Sequence, residues 1–289
     1  MIRLPAADLR RAVYQGLQED LGQGDVTTAA LFPSPVRARA KIVAQQPLTV
    51  AGMAGAVQTF LAVDPSLRLR VLKKDGSRAR RGEALLTVAG DGRSILMAER
   101  VALNFLQHLS GIATLTNRFR KAVRGYRVAI MDTRKTFPGW RALQKWAVAL
   151  GGGTNHRCSL GDGILIKDNH LLLLNSRRAV TEACRLTMGR SKGPVIVEVE
   201  SLAEVHEALD GKADIILLDN MTPPMVGKAV KKIGHRALVE VSGGITLHNV
   251  RAMAAAGADR ISIGALTHSA PAASLSLELA PIPSIRKRP

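Results

Sequence analysis

The feature that most constrains the fold is a series of six short apolar runs in the second half of the chain, each followed by polar or glycine residues. They lie at 127–131, 163–167, 195–199, 214–218, 237–241 and 260–264. Most are separated by segments with helical spacing, which favours a parallel sheet or barrel. A closed (β/α) barrel has eight strands, so six predict an incomplete or barrel-like version. Function is then expected where the carboxyl ends of the strands meet.

The first hundred residues have a different pattern. Residues 7–21 have leucines and valine at helical spacing, and 52–63 also favour a helix. Residues 37–44 and 67–73 alternate charged with apolar residues, and 85–89 adds another short run, as in half-exposed antiparallel strands. We therefore expect an N-terminal α+β sandwich domain over 1–112, the barrel-like domain over 113–280, and a mobile basic tail over 281–289.

The stretch from Met131 to Leu171 concentrates basic side chains near two of the apolar runs. The helical spacing between those runs predicts a βαβ unit whose helix ends at the triple glycine 151–153. Cations near strand ends suit an acidic small molecule in a pocket. These basic residues are Arg134, Lys135, His156, Arg157 and Lys167.

Several of these signals have a structural explanation as well as a functional one. Asp219 is either a ligand contact or a helix N-cap. Glu198 is either a functional acid or the partner of a lysine, and His156 is either functional or structural. Arg100, in an apolar helix over 94–110, is either a surface arginine or one aimed at an anion across an interface.

Glycine-containing segments follow the last two apolar runs. Ser242-Gly243-Gly244 and Gly264-Ala265 stand where barrels commonly bind phosphate through backbone amides. The Ser-Gly-Gly sequence alone is equally compatible with a tight turn. Asp25 and Thr27, after the first helix, are interpreted as turn and cap residues.

Charge and composition limit the classes of function that the protein can have. Forty-one Lys and Arg against 23 Asp and Glu give a net charge of +18, which suits nucleic acid, an anionic surface or an anionic substrate. Aromatic residues make up only 3%, which leaves little for base stacking. No run approaches a membrane span, and Cys158 and Cys184 have no metal-ligand spacing. A soluble cytoplasmic protein is therefore expected, and no zinc site at His156 or His170.

Several motifs in order resemble the quinolinate phosphoribosyltransferase family. The resemblance covers nearly the whole chain. Phe137, Trp140, Thr154 and Cys158 depart mildly from the family pattern, and the two aromatic residues are expected to reshape a pocket wall. The motifs are EDLGQGDVTT at 19–28, AERVALNFLQHLSGIAT at 98–114, DTRKT at 132–136, GGGTNHR at 151–157, LIKDNH at 165–170, LLDN at 217–220, SGGI at 242–245 and GALTHS at 264–269.

The resemblance implies a reaction and a partner. Quinolinate and phosphoribosyl pyrophosphate would give nicotinate mononucleotide, carbon dioxide and pyrophosphate, with Mg²⁺ accompanying the pyrophosphate. The family forms dimers, and Arg100 would reach the site of the partner subunit. There are three alternatives. One is the molybdenum-transport-associated relative of the family, which is expected to lack an intact LIKDNH. The other two are nicotinate phosphoribosyltransferase and a basic nucleic-acid-binding protein.

The resemblance also implies roles for individual residues. Lys135, Lys167, Glu198 and Asp219 would act in catalysis, the two acids also holding Mg²⁺ through water. The substrate-binding residues would be Arg100, Arg134, His156, Arg157, Ser242, Gly243, Gly264 and His268.

Overall fold

A computed structural model describes residues 4–282 of the chain, which form two compact units. Among these residues, the first unit contains 4–117, 137–152 and 269–282, and the second contains 118–136 and 153–268. The helices are α1 (Ala6–Leu21), α2 (Val26–Leu31), α3 (Met53–Val63), α4 (Gly92–Ala122), α5 (Arg141–Leu150), α6 (Asp168–Leu174), α7 (Ala179–Thr187), α8 (Leu202–Asp210), α9 (Pro223–Ile233), α10 (Val250–Ala255) and α11 (Ala265–His268). The strands are β1 (Arg37–Ala44), β2 (Leu48–Thr49), β3 (Arg68–Val71), β4 (Arg78–Ala79), β5 (Ala84–Asp91), β6 (Ala129–Met131), β7 (Ile164–Ile166), β8 (Val195–Val199), β9 (Ile215–Asp219), β10 (Leu238–Ser242), β11 (Arg260–Ser262) and β12 (Leu275–Pro281).

The first unit is built on an antiparallel sheet with the strand order β12-β1-β5-β3. Because side chains alternate along a strand, β1 buries Ala38, Ala40 and Ile42 and exposes Arg37 and Arg39 on its other face. The buried face joins a core that also contains residues of α3 and α4. This is the small α+β domain expected from the alternating runs.

Strand β12 was not predicted from the sequence. Its residues pair with β1 over seven positions, from Ala44 opposite Leu275 to Ala38 opposite Pro281. The barrel-like domain predicted over 113–280 therefore does not include 275–280, because the chain returns here to the sheet of the first unit. The basic tail expected over 281–289 lies, from residue 283 onward, outside the described residues.

The second unit is a six-stranded parallel sheet with the order β6-β11-β10-β9-β8-β7. All six predicted strands are confirmed, with their bounds within two residues of the apolar runs. Helices α8 and α9 contact strands β8 and β10, and they bury Val205 and Val226. The architecture is therefore an α+β domain followed by an incomplete α/β barrel.

The predicted βαβ unit around Met131–Leu171 is wrong. Strands β6 and β7 follow one another among the strands of this sheet but form its opposite edges. The helix between them, α5, belongs to the first unit. Periodicity reports local structure only, so it could not show that these two strands are not neighbours.

Two further predictions concern Asp25 and membrane-spanning helices. Asp25 is the N-cap of α2, where its side chain accepts the Thr28 amide hydrogen at 2.9 Å, so the interpretation as a cap is confirmed. This bond and that from the Thr28 hydroxyl lower the pKa of the Asp25 carboxyl. Within residues 4–282, no helix is both long and apolar enough to cross a bilayer.

Candidate active site

A cavity of about 500 Å³ opens where the carboxyl ends of the second unit's strands meet. Basic, acidic and glycine residues share its wall, which suits a ligand with several anionic groups. Among the residues singled out in the sequence, those that line it are Lys135, His156, Lys167, Glu198, Asp219, Ser242, Gly243, Gly264 and His268.

Lys167 and Glu198 form an ion pair in the cavity wall. Lys167 follows β7 directly, and its Nζ lies 2.5 Å from Oε2 of Glu198 on the neighbouring strand β8. The Lys167 side chain is 44% exposed and that of Glu198 only 13%. Glu198 therefore pairs with a lysine, while its functional role stays a prediction, and the lysine remains open to the solvent and to a ligand.

Lys135 reaches the cavity from the loop after β6. The Thr267 hydroxyl donates a hydrogen bond to the Lys135 carbonyl at 2.7 Å, which ties this loop to α11. A Cβ added to Gly264 would lie 3.0 Å from both Lys135 Cδ and His268 Nε2. The glycine therefore leaves room for two basic side chains to converge at the end of β11.

Asp219 and Gly243 are linked through Asn220. The Asn220 side-chain amide donates to Asp219 Oδ2 at 2.6 Å. Gly243 has φ of 85°, and a Cβ there would lie 2.2 Å from Asn220 Oδ1. The turn therefore requires glycine for both conformation and space. Asp219 is not a helix N-cap, because Thr222 holds that position in α9.

A buried group of polar residues lies at the cavity, and its two acids, Glu240 and Asp132, were not among the predicted site residues. Glu240 is fully buried, and its Oε1 accepts the Ser262 hydroxyl hydrogen at 2.6 Å and lies 3.3 Å from His156 Nε2. Asp132 is also fully buried and accepts the His156 amide hydrogen at 2.9 Å and one from the Asn155 side chain. A single acid inside the apolar run ALVEV was the available signal for Glu240.

Two arginines expected to bind substrate lie outside the wall of the large cavity. Arg157 lines a neighbouring cavity of about 140 Å³ and donates to the Gly163 carbonyl at 3.1 Å; Arg134 lines neither cavity. Within residues 4–282, the Nε atoms of both arginines are buried without a hydrogen-bond partner. Burial and the charge of Arg134 lower the pKa of Arg157, so an anion is the natural complement to this pair.

Three further residues belong to the first unit. Arg100 is exposed on α4, so the structure leaves its expected role across an interface a prediction. Phe137 stacks on His108 with ring centroids 5.2 Å apart, and Trp140 stacks on Phe105 at 5.1 Å. Their bulk is accommodated by aromatic stacking within that unit.

Cys184 and His170 do not line the large cavity. Burial raises the pKa of the Cys184 thiol to about 11, which keeps it protonated at neutral pH. His170 Nδ1 accepts the Lys167 amide hydrogen at 2.9 Å, a contact at the start of α6. In the described part of the chain, no three His, Cys, Asp or Glu residues are grouped so that they could hold a metal ion alone.

Two known protein-family models together match most of the chain. Residues 25–110 match the family described as quinolinate phosphoribosyl transferase, N-terminal domain. Residues 112–278 match quinolinate phosphoribosyl transferase, C-terminal domain.

Individual proteins give the same result. A nicotinate-nucleotide pyrophosphorylase (carboxylating) from Mycobacterium leprae is 41% identical, covering 93% of this chain and 96% of the relative. A quinolinate phosphoribosyltransferase (decarboxylating) from Nicotiana tabacum is 40% identical, with 95% and 83% covered. The solved nicotinate-nucleotide pyrophosphorylase of Francisella tularensis superimposes with a TM-score of 0.89 at 36% identity, covering 96% of this chain and 98% of that one.

Proposed function

Because the chain belongs to the quinolinate phosphoribosyltransferase family, we infer that the cavity at the strand ends is where it carries out the family's reaction. The enzyme transfers the phosphoribosyl group of phosphoribosyl pyrophosphate to quinolinate and releases pyrophosphate and carbon dioxide, giving nicotinate mononucleotide. This is a step of de novo pyridine nucleotide synthesis. The supporting observation is that Lys135 and Lys167, two strand-end acids and two glycine segments line one cavity.

The substrates carry the charges that this wall complements. Phosphoribosyl pyrophosphate has a 5′-phosphate, for which we propose Ser242, Gly243, Gly264 and His268, and a pyrophosphate, for which we propose Lys135 and Lys167. Quinolinate has two adjacent carboxylates, and arginine binds carboxylates bidentately. The Nε atoms of Arg134 and Arg157, which are buried without a hydrogen-bond partner in the described chain, support these arginines as carboxylate contacts, with His156 beside them.

The first step needs no base, because the pyridine nitrogen already has a lone pair with which to attack the anomeric carbon. That carbon acquires positive charge as pyrophosphate leaves, and Glu198 and Asp219 supply negative charge in the cavity wall. The cationic ring nitrogen then stabilises the carbanion left when carbon dioxide departs. We propose that Lys135, through water, donates a proton to that carbon, which forms the C–H bond in place of the broken bond to the carboxylate.

Mg²⁺ fits this site only together with the substrate. Glu198 is already paired with Lys167, and Asp219 Oδ2 accepts from Asn220, so the two acids do not form a protein-only cage. Mg²⁺ commonly keeps several waters and binds one or two carboxylates plus substrate phosphates. We propose that Glu198 and Asp219 would hold the ion through water, where it would neutralise charge on the departing pyrophosphate.

We also propose that the active enzyme is a homodimer in which Arg100 completes the site of the partner subunit. Support comes from its place in the AERVALNFLQHLSGIAT motif and from its exposure on α4. The cytoplasmic location expected from the sequence stays a prediction.

Purified protein is expected to consume quinolinate with phosphoribosyl pyrophosphate and Mg²⁺, and to use nicotinate far less well. The reason is that a site built for two carboxylates leaves the hydrogen-bond donors of one carboxylate unpaired when that carboxylate is missing. Release of pyrophosphate and of labelled carbon dioxide measures the reaction. Equal turnover of nicotinate would contradict the assignment, and salt-sensitive DNA binding without turnover would favour a nucleic-acid binder.

Gly243→Val is expected to weaken binding of phosphoribosyl pyrophosphate much more than binding of quinolinate. A branched side chain at φ of 85° would collide with Asn220 and displace the backbone proposed to approach the 5′-phosphate. Calorimetric titration with each substrate separates the two effects.

Gly244→Ala is the matched control for this variant. Gly244 also has a positive φ, of 59°, but no atom lies within 4 Å of an added Cβ. The variant therefore introduces backbone strain without the collision, and a modest effect is expected. If Gly243→Val affects both substrates equally, the proposed phosphate position is wrong.

A further inference from the structure

Glu240 is an acid at an energetically unfavourable position. It is fully buried, it borders a cavity proposed for anionic substrates, and within residues 4–282 its Oε2 is buried without a hydrogen-bond partner. Burying a carboxylate with incomplete hydrogen bonding is costly, and a negative charge there repels the substrates. The energetic cost of an acid at such a position indicates that its other oxygen has a specific task.

The contacts of His156 indicate that task. His156 Nδ1 accepts the Arg157 amide hydrogen at 2.8 Å, so Nδ1 carries a lone pair and the ring hydrogen lies on Nε2. Nε2 lies 3.3 Å from Glu240 Oε1, close enough for this hydrogen to be shared with the carboxylate. The Ser262 hydroxyl donates a hydrogen bond to the same oxygen at 2.6 Å and thereby fixes the position of the Glu240 carboxylate. The hydrogen bond at one ring nitrogen thus determines whether the other nitrogen is a donor or an acceptor.

The ring that is held in this way stands between the two cavities. His156 lines both the large cavity and the smaller one that contains Arg157. Its side chain is only 9% exposed, and its backbone amide is anchored on Asp132. A rotation of this ring would therefore change the walls of both cavities.

Strand register distinguishes Glu240 from Glu198. Both acids stand opposite Leu217 of β9, one on each side, so they occupy the same level of the sheet. Glu198 is partly exposed and paired with a lysine that a ligand can reach. Glu240 is fully buried and faces a histidine, which makes it suited to act through that histidine.

We propose that Glu240, held by Ser262, is a positioning residue that fixes His156 as the Nε2–H tautomer and fixes its ring orientation, and thereby shapes the quinolinate site. This inference rests on the proposed function of the cavity. It requires the acceptor oxygen of residue 240, so glutamine should replace glutamate with little loss. In this proposal the His156 ring forms part of the wall of the quinolinate site, because both of its nitrogens are engaged within the protein.

The direct test is nitrogen NMR of the substrate-free protein labelled with ¹⁵N-histidine, with the His156 signals identified by their absence in His156→Gln. We expect the Nε2–H tautomer in the wild type and in Glu240→Gln, and a mixture of tautomers in Glu240→Leu. A wild-type ring with its hydrogen on Nδ1 would overturn the proposal. Because no substrate is present, this result does not depend on whether the enzyme uses quinolinate.

Kinetics supply the second readout. Glu240→Leu is expected to raise KM for quinolinate about tenfold or more, the effect of losing one buried hydrogen bond, and to change KM for phosphoribosyl pyrophosphate less than about threefold. Glu240→Gln should stay within about threefold of the wild type for both substrates. An equal rise in the two KM values, or none in Glu240→Leu, would overturn the proposal.

Two controls keep the test decisive. Glu207 also has a buried carboxylate oxygen without a partner in the described chain, but it lies on α8 and lines neither cavity, so Glu207→Leu should leave both KM values unchanged. If Glu240→Leu fails to fold, Ser262→Ala replaces it, with an expected rise in KM for quinolinate of about threefold. An unchanged KM in Ser262→Ala together with an unchanged tautomer would reject the role of Ser262 and Glu240. A wild type that binds but never turns over quinolinate would instead reject the proposed function.

Discussion

Lys135→Ala is expected to lower kcat/KM by about 30- to 900-fold while leaving the protein folded. Lys135 lines the cavity beside Gly264 and His268, and it is the cation proposed to face the leaving pyrophosphate. Losing one such contact costs ~2–4 kcal/mol of transition-state stabilisation, which gives this range. Its side chain is exposed, so folding should not depend on it. Steady-state kinetics and thermal unfolding of the variant measure the two effects.

Lys228→Ala is the matched control, because Lys228 is an exposed lysine on α9 that does not line the cavity. It should retain wild-type kinetics. Lys167→Ala should also be severely impaired, but it additionally leaves Glu198 without its partner, so the Lys135 variant is the cleaner measurement. Near-wild-type turnover of Lys135→Ala would remove this residue from the catalytic assignment.

Mixing inactive Arg100→Ala and Lys135→Ala proteins is expected to restore roughly a quarter of wild-type activity. Under the proposed dimer, each site takes Arg100 from one subunit and Lys135 from the other. A mixed dimer then has one intact site and one site with both lesions. Random pairing makes about half of the dimers mixed, which gives the quarter. Activity is measured after subunit exchange has been confirmed by native mass spectrometry.

The pair of Arg100→Ala with Lys228→Ala provides the comparison. Because the Lys228→Ala chain is intact at both positions, this mixture should have about half of wild-type activity both before and after exchange, which shows that exchange by itself does not raise activity. If Arg100 and Lys135 served the same subunit's site, the Arg100→Ala and Lys135→Ala mixture would stay inactive despite exchange. That outcome would exclude the shared site while leaving the role of Lys135 untouched.

The sequence predicted the strands of the second unit well because each is a nearly continuous apolar run followed by polar residues. Val195–Val199 agrees at both ends, and Ile215–Asp219 is shifted by one residue. Burial on both faces of a parallel sheet produces such runs directly. The order of the strands in the sheet could not be predicted, because pairing depends on contacts between distant segments that no local pattern records. This is why β6 and β7 were wrongly joined.

The same distinction applies to the site. Residues that follow a strand, such as Lys167 and Ser242, could be placed at the cavity because strand ends meet at one edge. Glu240 lies within its strand, and its importance depends on the register that sets it opposite Leu217 and near His156. Register is set by pairing between strands, so an isolated glutamate in an apolar run could only be noticed, not interpreted.

The return of β12 to the first sheet has a consequence for how the protein is made. On the ribosome, β1 emerges early, but one of its two neighbours, residues 275–281, is synthesised only after the whole parallel sheet. Until then β1 presents an unpaired edge that can associate with other chains. The N-terminal half should therefore aggregate when expressed as 4–117 alone, while a circular permutant that begins at residue 269 and joins 282 to residue 4 would supply this strand first. In this enzyme the barrel can begin to fold before the domain that precedes it in the sequence is complete.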